Sequence, residues 1–111
     1  MVIQGETRSW PAEPGQLDCF SRDLVTSVET PLLSAHHLRI EPGGEFYVHA
    51  HERETEIHFV ISGRGQAQIA DQWEDVAAGD VALALPGVAH ALRNNSSDPL
   101  FILCVFTPAL Y

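Results

Sequence analysis

Residues 43–63 read GGEFYVHAHERETEIHFVISG, and their spacing decides how the chain is understood. Two histidines stand two apart, His49 and His51, followed by a carboxylate at Glu56, with a glycine at each end. In an extended strand alternate side chains share a face, so a strand over 46–51 turns both imidazoles to one side. The polar run 52–55 has the length of a hairpin turn, and the apolar segment 57–61 is expected to return antiparallel beside the first strand. Glu56 then begins the returning strand, close to the imidazoles. A further ligand has to come from farther along.

Working outward, the rest of the chain is punctuated at short intervals. Residues 1–16 contain Pro11, Pro14 and Gly15 with little periodicity and read as an arm; residues 17–111 read as one domain. The pieces 17–20, 24–28 and 32–40 are short apolar strand candidates without a helical stripe, and Pro42-Gly43-Gly44 is expected to be a turn. Beyond Gly63, strand-like segments at 66–70, 73–76, 81–85, 90–93 and 100–106 are separated by Gly63-Arg64-Gly65, Asp71-Gln72, Ala78-Gly79-Asp80, Pro86-Gly87 and the cluster from Asn94 to Pro99. Many short strands with turn signals throughout predict an all-β sandwich or barrel.

Composition narrows the function. The chain has 111 residues, a net charge of −9 and six cations, all of them arginine. An acidic surface argues against nucleic acid and anionic membrane as partners, and the absence of lysine removes every lysine Schiff-base mechanism. No cationic start precedes an apolar run, and 100–106 is far too short to cross a bilayer, so a soluble cytoplasmic protein is expected. In that compartment Cys19 and Cys104 are expected as buried thiols, and the overlapping sequons at Asn94 and Asn95 are expected to be unused.

Read as a pattern, Gly43, five residues, His49, one residue, His51, four residues, Glu56, six residues and Gly63 resembles the first motif of the cupin superfamily. The second motif of that superfamily is met by Gly79, Gly87, His90 and Asn94, with its proline one place late at Pro86. The resemblance covers roughly residues 32–108. It implies a double-stranded β-helix, or jelly roll, and one divalent transition metal ion (Fe, Mn, Ni, Co or Zn) held by His49, His51, Glu56 and His90. It further implies one barrel per chain and, commonly, a homodimer.

Imidazole and carboxylate suit a borderline transition metal and poorly suit calcium or magnesium, which favour all-oxygen shells. Four protein ligands around an ion that prefers six leave room for a chelating small-molecule substrate. Glu52 and Glu54 compete with Glu56 as the carboxylate, but they read as a solvated turn. His58 shares strand parity with Glu56, and Tyr47 with His49 and His51, which makes both candidates for proton transfer beside the ion or for barrel lining. His36 and His37 point to opposite faces, and His36 is the weaker cavity candidate. Arg39, Arg53, Arg64 and Arg93 read as scattered surface charges, and Trp10 and Trp73 as packing anchors.

Residues 100–106 are apolar on both parities, so either the arm or, by preference, a second subunit should cover the outer face. Three functions follow. The first is a dioxygenase-like oxidoreductase acting on a small oxygen-chelating organic substrate. The second is a redox-neutral isomerase, lyase or decarboxylase, and the third a non-catalytic module that binds a small ligand.

Overall fold

The computed structural model describes residues 1–111. After one 3-10 turn at Gly5–Thr7 come eight strands: β1 Leu17–Val25, β2 Ser34–His49, β3 Thr55–Ser62, β4 Arg64–Ile69, β5 Gln72–Ala77, β6 Val81–Ala84, β7 His90–Arg93 and β8 Leu100–Thr107. They form an all-β jelly-roll barrel, nearly closed, in the order β5-β4-β7-β2-β8-β3-β6, with β1 added to β2. No helix is long and apolar enough to cross a membrane.

The hairpin expected around residues 52–55 does not form. β2 and β3 are not paired; both lie beside β8, which separates them. β8 is apolar on both parities and carries enough backbone and side-chain surface to serve as the central strand between them, so the turn at 52–55 crosses from one side of β8 to the other.

The turn expected at Pro42-Gly43-Gly44 is a bend inside one long strand. The first half of β2 pairs with β8 from Ser34 to Ile40, and the second half pairs with β7 from Glu45 to His49. Pro42, which has no N–H, sits where β2 leaves β8. Gly43 adopts φ +82° and exchanges hydrogen bonds across the corner, its N–H meeting Asn94 O at 2.8 Å while the Asn94 N–H meets Gly44 O at 2.9 Å. A Cβ on Gly44 would stand 2.7 Å from Leu17 O and 2.9 Å from Ile40 Cγ2, so only glycine fits.

The three short pieces expected between residues 17 and 40 resolve differently too. β1 is continuous from Leu17 to Val25, and Val28 and Leu32 project from an exposed loop. The cost of leaving two isolated apolar side chains in water is small beside the ladder that β1 forms with β2.

The inward side chains stack in layers. Ile40 faces Leu100; the next layer joins Leu38, Ile102 and Val60 across β2, β8 and β3. These residues are almost fully buried and, with Ala67 and Leu92 from the other side, form the apolar core. Two residues along each strand the layer becomes His36, Cys104 and His58, and two further it becomes Ser34, Phe106 and Glu56. The barrel therefore has a dry end and a polar end on the same strands.

Outside, the arm lies along β1 through a bridge between Ala12 and Phe20. Trp10 packs over His37 and Phe101 and is flanked by the guanidinium groups of Arg22 and Arg39, 4.3 and 5.0 Å from its ring. It acts as an anchor, as does Trp73, which lies under Arg93 at 3.8 Å. The arm covers only the Phe101 end of β8. Phe59, Ile61, Val81, Leu83 and Leu85 remain exposed on the outer face of β3, β6 and the loop after β6.

Candidate metal centre

His49, His51, Glu56 and His90 converge at the polar end. One ligand atom from each lies within 4.8 Å of the others, and together they line a cavity of about 240 Å³. Atoms bound at about 2.0–2.2 Å to a common ion stand up to about 4.4 Å apart, so the set closes on a metal with only slight movement.

Local structure fixes each ring. In β2, β7 is matched at Phe46↔Leu92 and again at His49↔His90, so β2 spends one residue more than its partner across that interval. This β-bulge turns Phe46 and His49 to the same, inner side. Nδ1–H of His49 donates to Tyr47 O at 2.8 Å and Nδ1–H of His90 to Val88 O at 2.9 Å, which leaves both Nε2 atoms directed at the centre. His51 lies just beyond β2 in the loop, where its carbonyl accepts the Gly87 N–H at 2.7 Å and ties the two motif loops together. The displaced proline at Pro86 leaves this contact in place.

Glu56 is buried and serves both sides. Its Oε1 accepts from His90 Nε2 at 2.9 Å, and its Oε2 accepts from His58 Nε2 at 2.8 Å. Burial pushes the carboxyl upward, but the bonds from His58 and His90 outweigh it and hold Glu56 below the usual carboxylate range. For His90 burial opposes the charge, yet Glu56 and the Val88 carbonyl between them raise it, because both ring N–H groups have acceptors. Burial lowers His49, whose Nε2 stays free of a proton.

One atom stands out. His51 Nε2 is buried without a hydrogen-bond partner; it lies 3.4 Å from Glu56 Oε1, outside hydrogen-bond geometry. Leaving a buried polar atom unpaired costs about 1–3 kcal/mol. A cation between His49, His51, Glu56 and His90 would satisfy it, and three imidazoles with a carboxylate are the donor set of a borderline transition metal.

These observations lead to the family. Residues 36–106 match the model of the cupin domain. The chain belongs to the cupin family. This cupin is 29% identical over 68 residues to the oxalate-binding protein of Thermotoga maritima, covering 61% of this chain and 56% of that one. An uncharacterized protein of Methanocaldococcus jannaschii is 30% identical over 66 residues, covering 60% and 53%. The matched segments span about half the length of these curated relatives. Among solved structures the cupin superposes on a predicted oxalate decarboxylase from Thermotoga maritima with a TM-score of 0.89 at 21% identity, covering 97% of this chain and 99% of that one. KdgF from Halomonas sp. gives 0.84 at 20% identity, covering 97% and 94%. At such identities the likeness shows the fold.

The remaining candidates separate. His58 lines the cavity, but its Nε2 is held by Glu56. Tyr47, expected to share a face with His49, is 44% exposed and does not line the cavity, because the bulge breaks the parity on which that expectation rested. His36, the weaker cavity candidate, is 3% exposed, lines the cavity and has an unpartnered Nδ1. Its inward parity with Leu38 and Ile40 was the available signal. Glu52, Glu54 and the arginines do not line the cavity. Asn94 is buried: its amide donates to Ile40 O and Asp98 O, and its Oδ1 accepts from Ser96, so it ends β7 and fastens that turn to β2. Gln16, Cys104 and Tyr111 complete the wall, and nothing local in the sequence pointed to Gln16 or Tyr111.

Proposed function

We propose that this cupin binds one divalent transition metal ion through His49, His51, Glu56 and His90 and uses it to act on a small organic acid that chelates through neighbouring oxygens. The observation that carries this reading is the convergence of those four donors, one with an orphaned buried nitrogen, at the head of a cavity of about 240 Å³. When bound, such an ion supplies a Lewis acid that polarises a carboxylate or carbonyl oxygen.

The chain's own residues narrow the substrate. Drug-sized ligands occupy roughly 300–1,000 Å³, so this space takes something smaller. No arginine lines it; a substrate's charge would be met by the ion and by imidazole donors, which favours a compact acid of low charge. Phe46 and Phe106 give apolar walls that exclude water. The oxalate-binding relative supports a short oxygen chelator as the ligand class.

For the reaction we favour redox-neutral chemistry of the decarboxylase, lyase or isomerase kind. His36 carries this choice, since its ring lines the cavity and burial lowers its pKa, which keeps the imidazole neutral and able to accept a proton. His58 is less suited, its Nε2 being engaged by Glu56. The second reading, dioxygenase-like oxidation, is supported by the four-ligand set, which leaves further positions open on a six-coordinate ion. Turnover of short oxo- and hydroxy-acids by the metal-loaded protein under strict anaerobiosis is the expected result. Dependence on oxygen uptake would select the second reading, and ligand binding without turnover a non-catalytic role.

We also propose a homodimer formed through the exposed face of Phe59, Ile61, Val81, Leu83 and Leu85, and a cytoplasmic location, which suits two buried cysteines without a disulfide. Sedimentation of Leu83→Glu as a monomer, beside a dimeric parent, tests the first.

A further inference from the structure

Beneath the proposed centre lies a second group of donors. Glu56, His58 and Cys104 are all buried, and one ligand atom of each lies within 4.8 Å of the others. Their positions follow from the strand register: His58 on β3 is directly opposite Cys104 on β8, which is directly opposite His36 on β2. A thiol thus sits between two inward imidazoles in one layer, with Glu56 in the layer above. Both flanking rings carry an unpartnered buried Nδ1, and both line the cavity.

The carboxylate is arranged to serve two positions. Oε1 faces His90 and His51, while Oε2 faces His58 at 2.8 Å. A carboxylate that presents one oxygen to each side is the arrangement of a bridging ligand. We infer that Glu56 Oε2, His58 and Cys104 form a second metal position, with a thiolate in its shell and a preference for soft or borderline ions such as zinc or monovalent copper. On binding, the ion takes the place of the proton between His58 and Glu56, which moves to the open Nδ1 of the same ring, and the thiol of Cys104 becomes thiolate, its proton passing to buffer. No oxidation state changes.

The position rests on the first centre only through the shared Glu56, so the two are separable by experiment. The protein, stripped by chelator and kept reduced, is titrated with cobalt(II) without oxygen. The expected result is uptake of a second equivalent, accompanied by near-ultraviolet sulfur-to-cobalt charge-transfer absorption. Cys104→Ser should lose that absorption and one equivalent while keeping the other; Cys104→Ala provides the same test should serine not be tolerated in the core. His49→Ala should keep the absorption and lose the other equivalent, and Cys19→Ser should change nothing. Saturation of the parent protein without thiolate absorption overturns the second position. So does absorption that vanishes in His49→Ala, for Cys104 would then be completing the first centre. Loss of metal from His49→Ala alone speaks to the first centre and leaves the thiolate signal as an independent readout.

Discussion

The two ends of the barrel share their strands and differ in what those strands place inside. Along β3, Val60 gives way to His58 and then Glu56; along β2, Leu38 gives way to His36; along β8, Ile102 gives way to Cys104; along β7, Leu92 gives way to His90. The β2–β8 and β3–β8 ladders run in unbroken register through both kinds of layer, from Ser34 to Ile40 and from Thr55 to Val60. The division of labour is therefore written in every second side chain, with the dry end supplying stability and the polar end spending some of it on unpaired nitrogens.

If that division holds, damage to the dry end should show in stability and leave metal binding per folded molecule alone. Ile102 is fully buried in the layer with Leu38 and Val60. Ile102→Ala is expected to cost about 2–5 kcal/mol, a large share of a total of about 5–15 kcal/mol for a domain of this kind. Urea unfolding of the metal-free protein measures the cost, and metal analysis of the folded fraction should give undiminished occupancy.

Glu56→Gln reverses the emphasis and brings pH into the comparison. The depressed Glu56 carboxyl contributes stability that is complete above its ordinary value of 4.5 and is lost as pH falls through its lower folded value. The raised His90 contributes stability that is complete below its ordinary value of 6.5 and is lost as pH rises through its higher folded value. Between pH 4.5 and 6.5 both contributions are present, so the metal-free variant should fall furthest below the parent in that window, by about 1–3 kcal/mol. The gap should narrow on either side. Unfolding curves across the pH range test this, and a constant gap would mean that the charge on Glu56 is not what the histidines recognise.

His51→Ala sharpens the contrast from the other direction. The ring has no hydrogen bond at Nε2 to lose, so metal-free stability should stay within about 1 kcal/mol of the parent. Metal affinity should fall by about tenfold to a hundredfold or more, since even the outer partners of metal ligands matter to that degree. Competition with a chromophoric chelator reads the affinity; full occupancy in the variant would remove His51 from the centre.

How far this was legible in the sequence follows from the same residues. The convergence of His49, His51 and Glu56 was legible in their spacing, whatever the strands pair with, whereas His90 entered only through the resemblance to the second cupin motif. The all-β class was legible through its punctuation, and the jelly roll through the family resemblance. Pairing was not: the segment after residues 52–55 has the length and composition of a hairpin arm, and only the barrel as a whole shows β8 between β2 and β3. Pro42-Gly43-Gly44 carries the letters of a turn, yet the corner keeps its hydrogen bonds through Asn94, a partner far away in the chain. Gln16 and Tyr111 reach the cavity from segments with no periodicity, so nothing local marks them.

The smallest expected effect concerns neighbours. Phe46 and Tyr47 are adjacent in β2, and strict alternation would have put Tyr47 inside with His49; the extra residue between the two β7 pairings reverses this. Phe46 lines the cavity, whereas Tyr47 is anchored through its backbone, its N–H donating to Gln16 Oε1 at 2.6 Å and its carbonyl accepting from His49. Because Tyr47 contributes backbone atoms rather than its phenol, Tyr47→Phe should leave stability within about 0.5 kcal/mol and metal content and turnover unchanged. A clear loss of turnover at full metal occupancy would return the phenol to the reaction and show that the bulge shifts once substrate is bound.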